Sequence, residues 1–161
     1  RALGALGARQ IACVPEAGHS RLIELCQADP AMRSVVLTTE EEGIALLAGA
    51  WLGGERGVLL MQSSGVGNSV NLLALPRTCR LPLLALVTMR GEWGELNPWQ
   101  LPMGQSASEV LRLAGVIVQR LEDAAAAGET VRAAGRMAFE GQAAVAVLIA
   151  QRLIGAKSFE R

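Results

Sequence analysis

Residues 81–88, LPLLALVT, are apolar at nearly every position and show no alternation of polar with apolar side chains. A strand with one face in water alternates, so an unbroken apolar strand must be covered on both faces, as in a parallel sheet between helices. The run is far too short to span a bilayer. Similar short strands are predicted at 11–14, stopped by Pro15, and at 34–38, 56–62, 116–120 and 144–150. Helical segments separate them. Residues 1–10 read as the end of a first helix, and Ser20 reads as the cap of a second that Asp29-Pro30 stops. Thr39 caps a third, which runs to Gly53-Gly54, and a fourth follows a Gly-rich turn at 63–68 and reaches about Leu75. A fifth lies within 106–120, and a long Ala-rich helix covers 124–139. Strand and helix alternate throughout, so the fold class is α/β, a three-layer open, mostly parallel sheet with helices on both faces.

Composition narrows the function classes. The 161 residues predict one domain, 1–161, with a polar surface tail at about 151–161. Fifteen basic residues balance fifteen acidic ones, and aromatics make up 3%. Such a chain has neither the field nor the stacking platforms for nucleic acid, and no charge to draw it to a membrane. Hydrophobic residues reach 51% and charged ones only 19%, below the roughly 25% of an average domain, so part of the surface is expected to be covered by a partner. Cys13, Cys26 and Cys79 are widely spaced, and His19 is the single histidine, so no metal site is expected. No leader pattern opens the sequence, and a reducing cytoplasm is the expected setting.

In an open parallel sheet, ligands bind beyond the carboxyl ends of the strands. Four segments fall there: 15–19, 39–42, 62–68 and 90–100. Glu40, Glu41 and Glu42 all suit the first turn of a helix, where carboxylates meet free N–H groups. Burial of one of them would raise its pKa and make it a proton donor at neutral pH, and the residues alone do not choose among the three. The 62–68 turn either accepts an anion on its N–H groups or simply packs; it lacks the lysine of a phosphate loop. His19 reads as a surface or cap residue with a substrate role open, and Arg90 as an anion fork or a surface ion pair. The 90–104 segment reads as a functional loop.

Three stretches carry a resemblance: TTEEEG at 38–43, VLLMQSSGVGNSVN at 58–71 and VTMRGEWGELNPWQLPMG at 87–104. Together they resemble the alpha subunits of sulfopyruvate decarboxylase and the related phosphonopyruvate decarboxylase, the pyrimidine-binding domain of thiamine-diphosphate enzymes. The resemblance implies that Glu40, nine residues before Gly49, bonds the cofactor's pyrimidine nitrogen N1′ and activates it. It implies cofactor contacts from Gln62, Ser63, Ser64 and Gly65, and substrate contacts from His19, Gln62, Arg90 and Gln100. In the family's substrate turn, Ala17 is inert here and His19 stands as the polar substitute. The implied substrate is a small 2-oxo acid, an anionic 3-substituted pyruvate such as 3-sulfopyruvate, giving sulfoacetaldehyde and carbon dioxide; phosphonopyruvate or another 2-oxo acid is the alternative.

The family's diphosphate motif, GDG with a later asparagine, is absent from this chain. A beta subunit is therefore expected to hold the diphosphate and Mg²⁺, with a second copy of this chain in the assembly and no activity from the chain alone. Two other classes stay open at this point: a non-catalytic regulatory or scaffolding homo-oligomer, and a binding module for small anions.

Overall fold

Strand β4, Leu83–Thr88, is buried at every position in the computed structural model, which describes residues 1–156. It lies near the middle of a six-stranded sheet made with β1 (Ala8–Cys13), β2 (Arg33–Val36), β3 (Arg56–Gln62), β5 (Ile117–Leu121) and β6 (Ala144–Ile149). The order is β2-β1-β3-β4-β6-β5 and every pairing is parallel. All-parallel pairing sharpens the mostly parallel expectation. It follows from the helices, since each return to the starting edge needs a crossover.

The buried strands send successive side chains to opposite faces. Val58, Leu60, Leu84, Leu86, Val145 and Val147 face one core. On that side lie α1 (Ala2–Ala5), α2 (Ser20–Ala28) and α7 (Ala127–Phe139). Leu59, Met61, Ala85, Val87, Ala146 and Leu148 face the other, beneath α3 (Glu40–Leu52), α4 (Ser63–Ser69) and α6 (Leu101–Leu113). The remaining helices are α5 (Ala74–Cys79) and α8 (Gln151–Ile154). None of the described helices is long and apolar enough to cross a membrane.

Several boundaries differ from the sequence reading. β1 begins at Ala8, because Gly7 (φ +71°) turns the chain out of a short α1 and Gln10, although polar, is buried in the sheet. Ser20 is the first residue of α2 and His19 holds the cap position, with no side-chain cap bond. The Gly-rich 63–68 stretch is itself helix α4. α6 starts at Leu101, five residues earlier than expected, since Pro102 is tolerated in a first turn and Gly104 lets the helix touch the Arg90 carbonyl. The expected surface tail begins instead with α8, whose Gln151 is fully buried; its last part, 157–161, lies outside the described residues.

Candidate functional site

The chain runs from β1 to β2 on one side and then to β3 on the other, so the crevice beyond β1 and β3 is a topological switch point. Glu40 stands where β2 hands over to α3, Gln62 and Ser63 where β3 meets α4, and Arg90 just past β4.

Helix phase separates the three glutamates. Glu41 and Glu42 are exposed, whereas Glu40 is only 7% exposed. Glu42 reaches back to accept the N–H of Thr38 at 2.8 Å and of Thr39 at 3.5 Å, which occupies it in holding the start of α3. Glu40 turns toward α4. Its Oε2 accepts a hydrogen bond from Asn68 Nδ2 at 2.8 Å, and Oε1 receives none among the described residues. Gly65 makes this approach possible: a Cβ there would lie 2.5 Å from Cγ, Cδ and Oε1 of Glu40. A buried carboxylate with one oxygen held and one open, against a backbone cradle, suits a ligand that offers a single N–H or ring nitrogen.

Beyond β3, the Gln62 Oε1 accepts from Ser64 Oγ at 3.1 Å, and both side chains are half-buried. Ser63 is fully buried. Its hydroxyl accepts the Arg90 N–H at 3.1 Å and donates to the Arg90 carbonyl at 3.4 Å, pinning the end of β3 to that of β4. These bonds commit its proton and one of its two lone pairs to the Arg90 backbone.

Arg90 is neither an open fork nor a surface pair. Nε and Nη2 donate to the two oxygens of Glu95 at 2.6 and 2.7 Å, and both side chains are buried. The Arg90 hydrogen bond, helped by the N–H groups of Asn97 and Gly91, outweighs burial and holds the Glu95 carboxyl at about 2. Gln151 completes the knot: its Oε1 accepts the N–H of Glu92 and Trp93, and its Nε2 donates to Glu95. The 90–97 loop is thus fixed from within, while Trp99, just beyond it, is 84% exposed.

His19 is buried rather than superficial. Its Nδ1 lies 2.7 Å from Glu16 Oε1, an ion pair when the ring is protonated, and its buried Nε2 has no hydrogen-bond partner among the described residues. Glu16 also accepts from Gly18 N–H at 2.7 Å and Thr88 Oγ1 at 3.0 Å. Burial pushes the Glu16 carboxyl up, but His19, Gly18 and Thr88 outweigh it and leave it below the ordinary value. Glu16 and Arg90 share the wall of a cavity of about 60 Å³ with Ala17, Gly18, Ile154 and Gly155. Gln100 is half-buried, with its Oε1 enclosed and unbonded. The candidates therefore fall into two groups, Glu40 with Gly65 and the Arg90 cluster with Glu16 and His19, joined by the first turn of α4.

Asn68, Glu95, Glu16 and Gln151 were not singled out by sequence reasoning. Glu95 carried one signal, an acid five residues after Arg90 in the same loop, and Glu16 another, an acid three residues before His19; Asn68 and Gln151 pair across large sequence separations. A wider groove of about 660 Å³ between α5 and α6 holds none of the candidates. Among the described residues, no group of three or more His, Cys, Asp or Glu stands together as a metal site.

Comparison with known proteins bears on this arrangement. No family model matches the chain. It is 36% identical over 137 residues to the sulfopyruvate decarboxylase subunit alpha of Methanothermobacter thermautotrophicus, covering 84% of this chain and 83% of that protein. It is 39% identical over 113 residues to the phosphonopyruvate decarboxylase of Streptomyces viridochromogenes, covering 69% of this chain but 28% of that protein. Among solved structures, a 2-oxoglutarate:ferredoxin oxidoreductase from Magnetococcus marinus with 2-oxoglutarate, coenzyme A and succinyl-CoA bound superposes with a TM-score of 0.78. At 18% identity over 95% of this chain and 28% of that one, it shows a shared fold.

Proposed function

We propose, from the premise that this chain belongs to the sulfopyruvate decarboxylase alpha-subunit family, that it forms the cofactor-activating half of a thiamine-diphosphate-dependent carboxy-lyase. The substrate in this reading is an anionic 3-substituted pyruvate such as 3-sulfopyruvate. Its C1–C2 bond breaks, carbon dioxide leaves, and a proton takes its place on C2 to give sulfoacetaldehyde.

The observation that carries the reading is Glu40: a buried carboxylate at the strand-end crevice, with Oε2 held by Asn68 and Oε1 open over the Gly65 backbone. Thiamine diphosphate, when bound, supplies the carbon nucleophile for the 2-oxo group and takes up the electron pair released with carbon dioxide. Glu40 holds or exchanges a proton with the pyrimidine N1′ through Oε1. Gln62 and Ser64 offer polar contacts beside it, and Gly65 leaves the approach open. Ser63 acts indirectly, by fixing the Arg90 backbone.

Substrate contacts in this reading come from Gln62, from the unbonded buried His19 Nε2 and Gln100 Oε1, and from the part of the Arg90 guanidinium not committed to Glu95. A stand-alone anion module finds less support, because its principal cation is already paired.

A partner subunit would hold the diphosphate and Mg²⁺ and, with a second copy of this chain, complete the enzyme. Two comparisons support it: the matched relative is itself named an alpha subunit, and the matched phosphonopyruvate decarboxylase carries far more chain than the stretch shared here.

The test is co-expression with such a subunit, followed by carbon dioxide release from sulfopyruvate, phosphonopyruvate and pyruvate. Glu40→Gln should abolish proton exchange at the cofactor's C2 in the complex. Exchange at the wild-type rate would sink the assignment, and a partnered complex that binds no thiamine diphosphate would favour a scaffolding role.

A further inference from the structure

We infer that Asn68 is a positioning residue for Glu40, an inference that rests on the reading of Glu40 given above. The two residues are 28 positions apart and belong to different helices, α3 and α4, yet their side chains meet at 2.8 Å. The final torsion of a glutamate side chain is broad and nearly two-fold, so a carboxylate left alone presents either oxygen over a wide arc. Two contacts remove that freedom. The Gly65 backbone bounds the group on one side, and the Asn68 amide takes Oε2, leaving Oε1 as the oxygen free to act.

The chemistry of the donor matters as much as its place. Glu95 is held by a cation and two backbone N–H groups, and its carboxyl is driven down to about 2. Asn68 is neutral, so it orients Glu40 without tying its charge into an ion pair. A lysine or arginine at 68 would orient the carboxylate and disable it together.

Asn68 is exposed and in a helix, so replacing it removes no core contact, and alanine is the better helix former. The test compares Asn68→Ala, Asn68→Asp and Glu40→Gln in the reconstituted complex. Two quantities are read against pH: C2 proton exchange of bound thiamine diphosphate, and the circular dichroism of its aminopyrimidine, which reports the tautomer without turnover. A misplacement of about 1 Å can cost about 100-fold, so Asn68→Ala should slow exchange by about 10- to 100-fold with cofactor affinity nearly unchanged. It should also move the pH at which the dichroic band changes. Asn68→Asp places a second carboxylate beside the first and should displace both profiles to higher pH.

Wild-type rates and profiles in both Asn68 variants, beside an inactive Glu40→Gln, overturn the inference alone. A slower rate with unmoved pH profiles assigns Asn68 a merely structural part and overturns it too. Normal exchange in Glu40→Gln overturns the reading of Glu40 and this inference with it.

Discussion

Arg90 and Glu95 close on each other inside the protein, with two parallel hydrogen bonds of 2.6 and 2.7 Å between guanidinium and carboxylate. The geometry is that of a bidentate pair, in which both donors and both acceptors are used at once. Because both side chains are buried, removing one partner strands the other's charge, and Glu95→Gln should cost about 3–5 kcal/mol. Urea unfolding at pH 7 measures it.

The same pair predicts an acid-side dependence. The folded Glu95 carboxyl lies at about 2, below the roughly 4.3 of an unfolded glutamate. A lowered folded value gives stability that is complete above the unfolded value and lost as pH falls toward the folded one. The gap in urea midpoint between wild type and Glu95→Gln should therefore be constant above about pH 5 and narrow toward pH 2. A gap independent of pH would contradict the ion pair.

Thr88 is fully buried and donates its hydroxyl to Glu16. Thr88→Val keeps the shape and removes the donor, so a half-buried carboxylate loses one of its bonds. Bonds to charged groups contribute about 1.5–3 kcal/mol, and a loss of that size is expected at pH 7. Glu16 titrates below its ordinary value, so its contribution is also full above the unfolded carboxylate value and lost as pH falls. Acid should therefore destabilise the valine variant less than the wild type, as thermal melts at pH 7 and pH 3.5 would show.

Gly65→Ala sets local propensity against the site. Alanine in a helix is favoured over glycine by about 1 kcal/mol. Its methyl, however, would occupy the space of the Glu40 carboxylate, 2.5 Å from Cδ. The expected result is a folded chain whose complex releases carbon dioxide about 100-fold more slowly, the scale of a displaced catalytic group. Unchanged release would show that Glu40 can shift without consequence.

These variants also mark where sequence reasoning reached and where it stopped. β4 and β6 could be read directly because burial on both faces leaves continuous apolar runs. β1 could not be read in full, because Arg9 and Gln10 interrupt its start although Gln10 is buried. The 63–68 stretch is rich in turn formers. It nevertheless winds into α4, with Val66 in the core and Ser69 bonding the Gly65 carbonyl. Tertiary packing overrides propensity there. Glu40 was reached through resemblance, whereas its neighbours Glu41 and Glu42 have the same composition and differ only in helix phase. Asn68 and Gln151 act across 28 and 56–59 residues, a relation that no periodicity records.

Gln151 ties that loop to the sheet. Fully buried at the start of α8, just past β6, it accepts the N–H of Glu92 and Trp93 and donates to Glu95, so one side chain bonds three groups of the 90–97 loop. Gln151→Leu keeps a similar bulk but leaves two backbone N–H groups and a carboxylate oxygen without that partner. Glu95 keeps its bonds to Arg90 and Gly91, but an enclosed N–H left unbonded costs about 1–3 kcal/mol, so the loop should open locally rather than bear that penalty in place. Amide exchange at Glu92 and Trp93 should quicken by at least about 10-fold, while β4 amides keep their protection. Arg90 then loses the geometry of its Glu95 partner, although the Ser63 bonds to its backbone persist. If 92 and 93 stay protected in the leucine variant, the loop is held by something other than Gln151.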